Sequence, residues 1–460
     1  MNSALTRFDS LPQELYDEIT DHLHDDLASL RTCSVTARTF VNHSQKHIFS
    51  SLALLTSPQQ LNSPKEVKEV NPESRFFVIT PHHLRWILEN SPHIAHYVHY
   101  LRLVTPPHPV PPSETTKDEE QLYRTNISFC LRQLSRLKGF SIDASVLTSD
   151  SSGFFQAVQD AAISTALTCL HYSSLPNIFL GQRHHIEYLS FCIGLPLGDS
   201  FAQAAPESDD IAPGQPRTRC TVRNLMVKLL AKGTTAGDLT GYLNRSLDIT
   251  NLETLAVTVA ASTLYHINMR NILDVCGKNL QRFVLNYRPS TPTSLGWSRN
   301  FTFSLNSLKS LRRFHVIFSA LNMDNAVSDF VRLLKSLPTG SASCLEELYI
   351  AADYTLRGMS PKAIIESWDE LWSHSTDVDH FPRLKKLNFT AYFTEDNVTY
   401  IIKWHNHFSE KLKFLPYSLK GNVELILSSA NPAQQWDELH PFWPDPRFGR
   451  LLKATSVGRR

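Results

Sequence analysis

The sequence predicts an α+β chain in two parts: a small N-terminal three-helix module, then an irregular α/β solenoid built of strand–helix units. Three observations predict it. Apolar residues between Leu11 and Phe49 recur at helical spacing. Beyond them a short pattern (apolar, two variable, apolar, one variable, apolar) keeps returning, ending each time in the alternation of a half-buried strand. Between its copies lie stretches of helical periodicity, and no glycine-rich phosphate loop follows any of the strands.

Composition narrows the class. Of 460 residues, 42% are hydrophobic and 19% charged, a balance that excludes wholesale disorder. A single core stops growing near roughly 250–300 residues, so more than one compact unit is expected. Forty-five basic residues against forty-four acidic ones leave a net charge of +1. That gives no broad field for nucleic acid or an anionic membrane. No stretch reaches the roughly 18–20 apolar residues of a membrane span, and Met1 to Ser10 lacks the apolar run of a secretory signal. Cys33, Cys130, Cys169, Cys192, Cys220, Cys276 and Cys344 are odd in number, far apart and without a CxxC pair. They predict free thiols in a reducing compartment, hence an intracellular protein, cytoplasmic or nuclear.

Residues 1–50 form the helical module. Pro12 suits a first helical turn, where its missing N–H costs nothing, and Glu14 suits the positive end of the dipole. Leu15, Ile19 and Leu23 follow at spacings of four and share one face. Asp25 or Asp26 caps a second helix carrying Leu27, Leu30 and Cys33. Phe40, Val41 and Ile48 mark a third. On periodicity alone this is a small helical bundle that begins the fold.

The order of residues adds to that reading. Leu11-Pro12, Glu14-Leu15, Glu18-Ile19, Leu23, Leu30, Cys33-Ser34-Val35, Arg38, Phe40 and Ile48-Phe49 together resemble an F-box, of the kind found in fungal proteins, over about a tenth of the chain. The resemblance implies docking onto the Skp-type adaptor, and through it a cullin, of a ubiquitin ligase. The matching positions Leu11, Pro12, Leu15, Ile19, Leu30, Val35 and Phe40 would supply the contact. Many family members carry tryptophan where Phe40 stands; phenylalanine keeps the aromatic packing and loses the indole N–H. A module this small cannot bury all its apolar side chains internally, so a partner is expected to complete its apolar face.

Residues 51–75 read as a linker, because Thr56 to Arg75 is rich in Ser, Pro, Asn and charge without periodicity. The array spans 76–430. Its pattern appears at Val98-Leu101-Leu103, Leu137-Phe140-Ile142, Leu167-Leu170-Tyr172, Ile186-Leu189-Phe191 and Val222-Leu225-Val227. It recurs at Leu252-Leu255-Val257, Leu280-Phe283-Leu285, Leu311-Phe314-Val316, Leu345-Leu348-Ile350 and Leu384-Leu387-Phe389, with a weaker copy at Val423-Leu425-Leu427. Asn325 to Leu337 and Pro361 to Trp372 are the clearest intervening helices. Most intervals run about 28–39 residues, against about 20–29 for leucine-rich repeats. The stretch therefore looks like a degenerate leucine-rich-repeat array, stacked to bury one continuous core. A doubly wound α/β domain also alternates strands and helices and is the competing architecture. Two interruptions, 105–120 and 195–219, are rich in proline and read as loops; 431–460 reads as a C-terminal cap and basic tail.

In such strands the variable residue between the last two anchors points away from the core. The partner-binding candidates by that geometry are Arg102, His171, His315, Tyr349 and Asn388, together with Ser141, Ser190, Met226, Ala256 and Val284. No catalytic residue is expected: GxSxG, GxGxxG and GxxxxGK are absent. No metal or cofactor is expected either. His93, His96 and His99 follow a proline and run into a predicted strand, and the pairs His82-His83 and His184-His185 have no carboxylate or cysteine at ligand spacing. The expected function is a ubiquitin-ligase adaptor that recognises a protein target. The alternatives are a non-degradative interaction protein with a scaffold-only or decayed F-box, and an enzyme hidden in the array.

Overall fold

The computed structural model describes residues 12–24, 26–56, 76–104, 117–142, 152–164, 166–172, 185–193, 219–229, 247–260, 263–288, 303–319, 330–353, 361–392, 398–415, 419 and 422–428. Leu11, Asp25, linker residues 57–75, loop residues 105–116 and 195–218, and the cap and tail at 431–460 lie outside the described residues. The chain divides into two compact units, one within residues 1–179 and one within 180–444. No helix among the described residues is long and apolar enough to cross a membrane.

The first unit begins with α1 (Gln13–His22), α2 (Leu27–Thr36) and α3 (Arg38–Ser50). Asp26 caps α2, its carboxylate accepting from the Ala28 and Ser29 amides at 3.1 Å each. Pro12 stands just before α1 with an extended ψ of 145° rather than inside its first turn. Ala37, with φ −149° and ψ 146°, breaks the chain between α2 and α3. α3 runs directly into β1 (Ser51–Leu55). The linker expected from residue 51 thus starts as a strand, and four of its five residues are buried. An apolar SLALL run adjoining a helix carries no turn signal to mark where a strand begins.

β2 (Phe77–Ile79), β3 (Tyr100–Val104), β4 (Gly139–Ile142) and β5 (Cys169–Tyr172) join β1 in a parallel arrangement ordered β2-β1-β3-β4-β5. Helices α4 (Pro81–Asn90), α5 (Lys117–Gln133) and α6 (Ser152–Ile163) alternate with them. Thr80 caps α4 and Pro81 opens it. The loop expected over 105–120 ends earlier than expected, because Lys117 already begins α5. Asp118, Glu119 and Glu120 there suit the positive dipole end of the helix.

The second unit contains β6 (His185–Ile193), β7 (Cys220–Leu229), β8 (Leu247–Asp248), β9 (Thr254–Ala260), α7 (Thr263–Cys276), β10 (Arg282–Arg288) and β11 (Arg313–Ser319). It continues through β12 (Glu347–Asp353), α8 (Pro361–Ser375), β13 (Lys386–Tyr392), α9 (Val398–Leu412) and β14 (Val423–Ser428). Of the helix expected over Asn325 to Leu337, residues 330–337 are described; 330–335 are helical, and Ser336 and Leu337 already form the turn that follows. The strands pair in parallel as β6-β7-β9-β10-β11-β12-β13-β14, with β8 pairing the start of β7. The order follows the sequence without the reversal that defines a doubly wound sheet. This is an open, solenoid-like strand–helix arrangement.

The anchors explain the register. Leu189, Leu225, Leu255, Phe283, Phe314, Leu348 and Leu387 stand opposite one another along the sheet, and each is fully buried. A one-residue slip would turn the whole row to the other face, so burial of one face sets the pairing. Helices cover this face: the Phe330 ring lies 6.2 Å from Phe314, and Trp368 lies 5.5 Å from Phe389. The strand entries repeat one backbone device. The Glu253 carbonyl accepts from the Gln281 and Arg282 amides, Gln281 from Arg312 and Arg313, Arg312 from Glu346 and Glu347, and Glu346 from Lys385 and Lys386. His99 and Lys138 do the same in the first unit. One carbonyl thus meets two otherwise orphaned N–H groups at each entry.

After α7 the chain turns at Gly277, where an added Cβ would lie 2.4 Å from the Leu273 carbonyl oxygen and 2.7 Å from Ser307 Oγ. Backbone cannot yield as a flexible side chain does. Gly277→Ala is expected to destabilise the second unit by ~1–3 kcal/mol; an unfolding midpoint equal to wild type would refute the close approach.

Candidate functional site

Two surfaces stand out, one in each unit. In the helical module α1 buries Tyr16 and Thr20, while Leu15 and Ile19 remain 42% and 41% exposed. The Tyr16 ring packs edge-on against Phe40 at 5.0 Å, so Phe40 ties α3 to α1 and is itself half-buried. The Thr20 hydroxyl donates to the carbonyls of Tyr16 and Asp17. Val35, near the end of α2, is 84% exposed, and Pro12 is exposed. Leu30 is fully buried, and its side chain serves the module's own core. The structure therefore leaves Pro12, Leu15, Ile19 and Val35 on the surface, and places Leu30 and Phe40 within the packing that presents them.

The sheet candidates form one register row in each unit. Arg102, Ser141 and His171 are neighbours on β3, β4 and β5. Ser190, Met226, Ala256, Val284, His315, Tyr349 and Asn388 are neighbours from β6 to β13. They occupy the face opposite the anchors, yet all except His315 and Tyr349 are buried. His315 stacks on Tyr349 with ring centroids 5.5 Å apart. The Tyr349 hydroxyl donates to Glu347 Oε2 at 3.0 Å, and Lys386 Nζ lies 5.7 Å over its ring. Asn388 donates to Glu424 at 3.0 Å and accepts from Thr390 at 2.8 Å.

What this face presents comes largely from a row the sequence reading did not single out, the residue just before the second anchor. Arg282, Arg313, Glu347 and Lys386 occupy it from β10 to β13 and are half-buried. Period-two geometry was the available signal, since the residues on either side of an anchor share a face. Arg313 pairs with Glu347 at 2.9 Å, and one position earlier along the strands Arg223 pairs with Glu253 at 2.9 Å. Burial, then the neighbouring Arg313, lower the Arg282 pKa. Glu187, Tyr188, Arg223, Asn224, Glu253, Thr254, Gln281 and Arg282 line a depression of about 170 Å³. A mixed-charge, aromatic-bearing surface of this kind can read the polar surface of a protein.

The His315 ring keeps a partly exposed edge, but its packing against Tyr349 and the sheet desolvates it and holds the imidazole down to about 3, and burial also lowers His374 from its ordinary 6.5. A folded pKa below the unfolded one means that folding favours the neutral ring. Its contribution is complete above pH ~6.5 and is lost as pH falls. The unfolding midpoint of the second unit is expected to drop between pH 7 and 5, and His315→Asn to shallow that slope. A midpoint independent of pH over that window would contradict the assignment. Burial likewise pushes the Cys130 and Cys276 thiols up to about 12, which suits inert core cysteines. Searched against known proteins, the chain matches no protein-family model and no curated protein.

Proposed function

We propose that this chain is the substrate-recognition subunit of a Skp–cullin–F-box ubiquitin ligase. The helical module docks the Skp-type adaptor through Pro12, Leu15, Ile19 and Val35, and the leucine-rich-type strand face binds a protein target through its Arg, Glu, Lys and Tyr side chains. One observation carries the reading: α1 turns Leu15 and Ile19 outward while Tyr16 and Thr20 fill its inner face. Apolar side chains held outward at adjacent turns of a helix suit a hydrophobic partner surface. In this reading the chain performs no chemistry; it raises the concentration of a target beside the transferred ubiquitin. Such a role is intracellular, in cytoplasm or nucleus. The test is capture of purified Skp adaptor and cullin by the full chain, beside a Leu15→Asp, Ile19→Asp double variant. Capture by wild type alone supports the reading. No capture by wild type overturns it and leaves an interaction protein with a vestigial F-box.

A further inference from the structure

A cluster of metal-ligating side chains in the helical module is used by neither surface. Asp21 stands in the last turn of α1, and His43 and His47 stand four apart on α3. Four residues is one helical turn, so both imidazoles leave α3 on the same side, with ring centroids 5.0 Å apart. Both reach one atom: Asp21 Oδ1 lies 2.7 Å from His43 Nε2 and 2.7 Å from His47 Nε2. One ligand atom from each residue falls within 4.8 Å of the other two.

The remaining nitrogen of His43 is the telling atom. Nδ1 is buried and, among the described residues, makes no hydrogen bond, while Asp17 Oδ1 stands 3.4 Å away. When Nε2 gives its lone pair to an ion, the ring proton must sit on Nδ1, where a carboxylate is placed to receive it. A carboxylate behind a ligating histidine is the usual support of such a ligand.

We infer that Asp21 Oδ1, His43 Nε2 and His47 Nε2 bind a divalent transition-metal cation of the zinc class, with Asp17 orienting His43. Two imidazoles and one carboxylate select such an ion over magnesium or calcium, which take oxygen ligands. Tetrahedral coordination at ~2.0–2.1 Å sets ligand atoms about 3.3 Å apart. The two nitrogens, now 2.7 Å from the Asp21 oxygen, must therefore back away from it by about 0.6 Å. Asp21 is 59% exposed at its side chain, so it can move, and the fourth position opens to water. The ion would clamp α1 to α3. This inference does not depend on what the helical module docks.

The experiment uses the full chain, stripped with chelator and dialysed, and titrated calorimetrically with zinc chloride at pH 7.5, with magnesium chloride as control. One tight equivalent of zinc and no magnesium uptake are expected. Asp21→Asn, which keeps the side-chain shape at an exposed position, should weaken that equivalent at least tenfold. The His43→Ala, His47→Ala pair should abolish it, and Asp17→Asn should weaken it without abolishing it. Cobalt provides a second readout independent of folding stability: the wild-type chain should give the visible absorption of a tetrahedral ion, and Asp21→Asn should alter it. Histidines elsewhere in the chain make the comparison decisive. Zinc uptake unchanged in both the Asp21→Asn and the double-histidine chains, or no uptake by wild type, overturns the assignment.

Discussion

Leu15→Asp with Ile19→Asp is expected to reduce adaptor binding by a hundredfold or more while leaving the chain folded. Both side chains are about two-fifths exposed, so in the free protein the new carboxylates remain hydrated and cost little. On docking they would be buried without partners, a penalty of several kcal/mol. Each 1.4 kcal/mol is tenfold in affinity, so about 3 kcal/mol already exceeds a hundredfold. Leu30→Ala separates docking from folding. Leu30 is fully buried, so its truncation should cost ~2–5 kcal/mol of stability with little change in affinity among molecules that remain folded. Equal binding by the double aspartate variant and wild type would remove α1 from the interface.

Trp368→Ala should be among the most destabilising single changes in the second unit. Trp368 is fully buried on α8, with its ring 5.5 Å from Phe389, 5.3 Å from Trp404 and 6.0 Å from Phe408. It joins two helices to the anchor of β13. Truncating a buried aromatic costs ~3–5 kcal/mol, through lost transfer energy and the cavity left behind. Against a typical domain stability of roughly 5–15 kcal/mol, that is a large share. Urea denaturation followed by far-UV circular dichroism reads it, with Trp86→Ala as control. Trp86 is 59% exposed, and its removal should change stability by no more than about 0.5 kcal/mol. Similar midpoints for the two variants would mean that the aromatic cluster does not hold α8 and α9 to the sheet.

Much of this architecture is written locally. The spacing of Leu280, Phe283 and Leu285, or of Leu345, Leu348 and Ile350, states which residues enter the core, and all six are buried. A pattern of period two marks the strand, and one of 3.6 marks helices such as Pro361–Ser375. Asp26, one of the two acidic residues whose place before an apolar run implies a cap, caps α2. The strand at Ser51–Leu55 was not legible, because a short apolar run beside a helix reads equally well as either element.

The sites were legible only in part. The row containing His315, Tyr349 and Asn388 follows from counting along each strand, because register preserves position between neighbours. Its burial does not follow from counting, since exposure depends on everything packed around a side chain. For α1 the sequence marked Leu15 and Ile19 as sharing a face, but only the packing of Tyr16 against Phe40 decided that this face is the outer one. The cluster of Asp21, His43 and His47 was hidden for the same reason. The histidines announce themselves by a spacing of four, but their carboxylate lies 22 and 26 positions away and meets them only where α1 crosses α3. By itself the sequence determined the periodicities, hence the elements and the residues that anchor them. Which faces meet, and which charges come together, was decided by tertiary packing, because contacts between residues distant in the chain leave no local periodic trace.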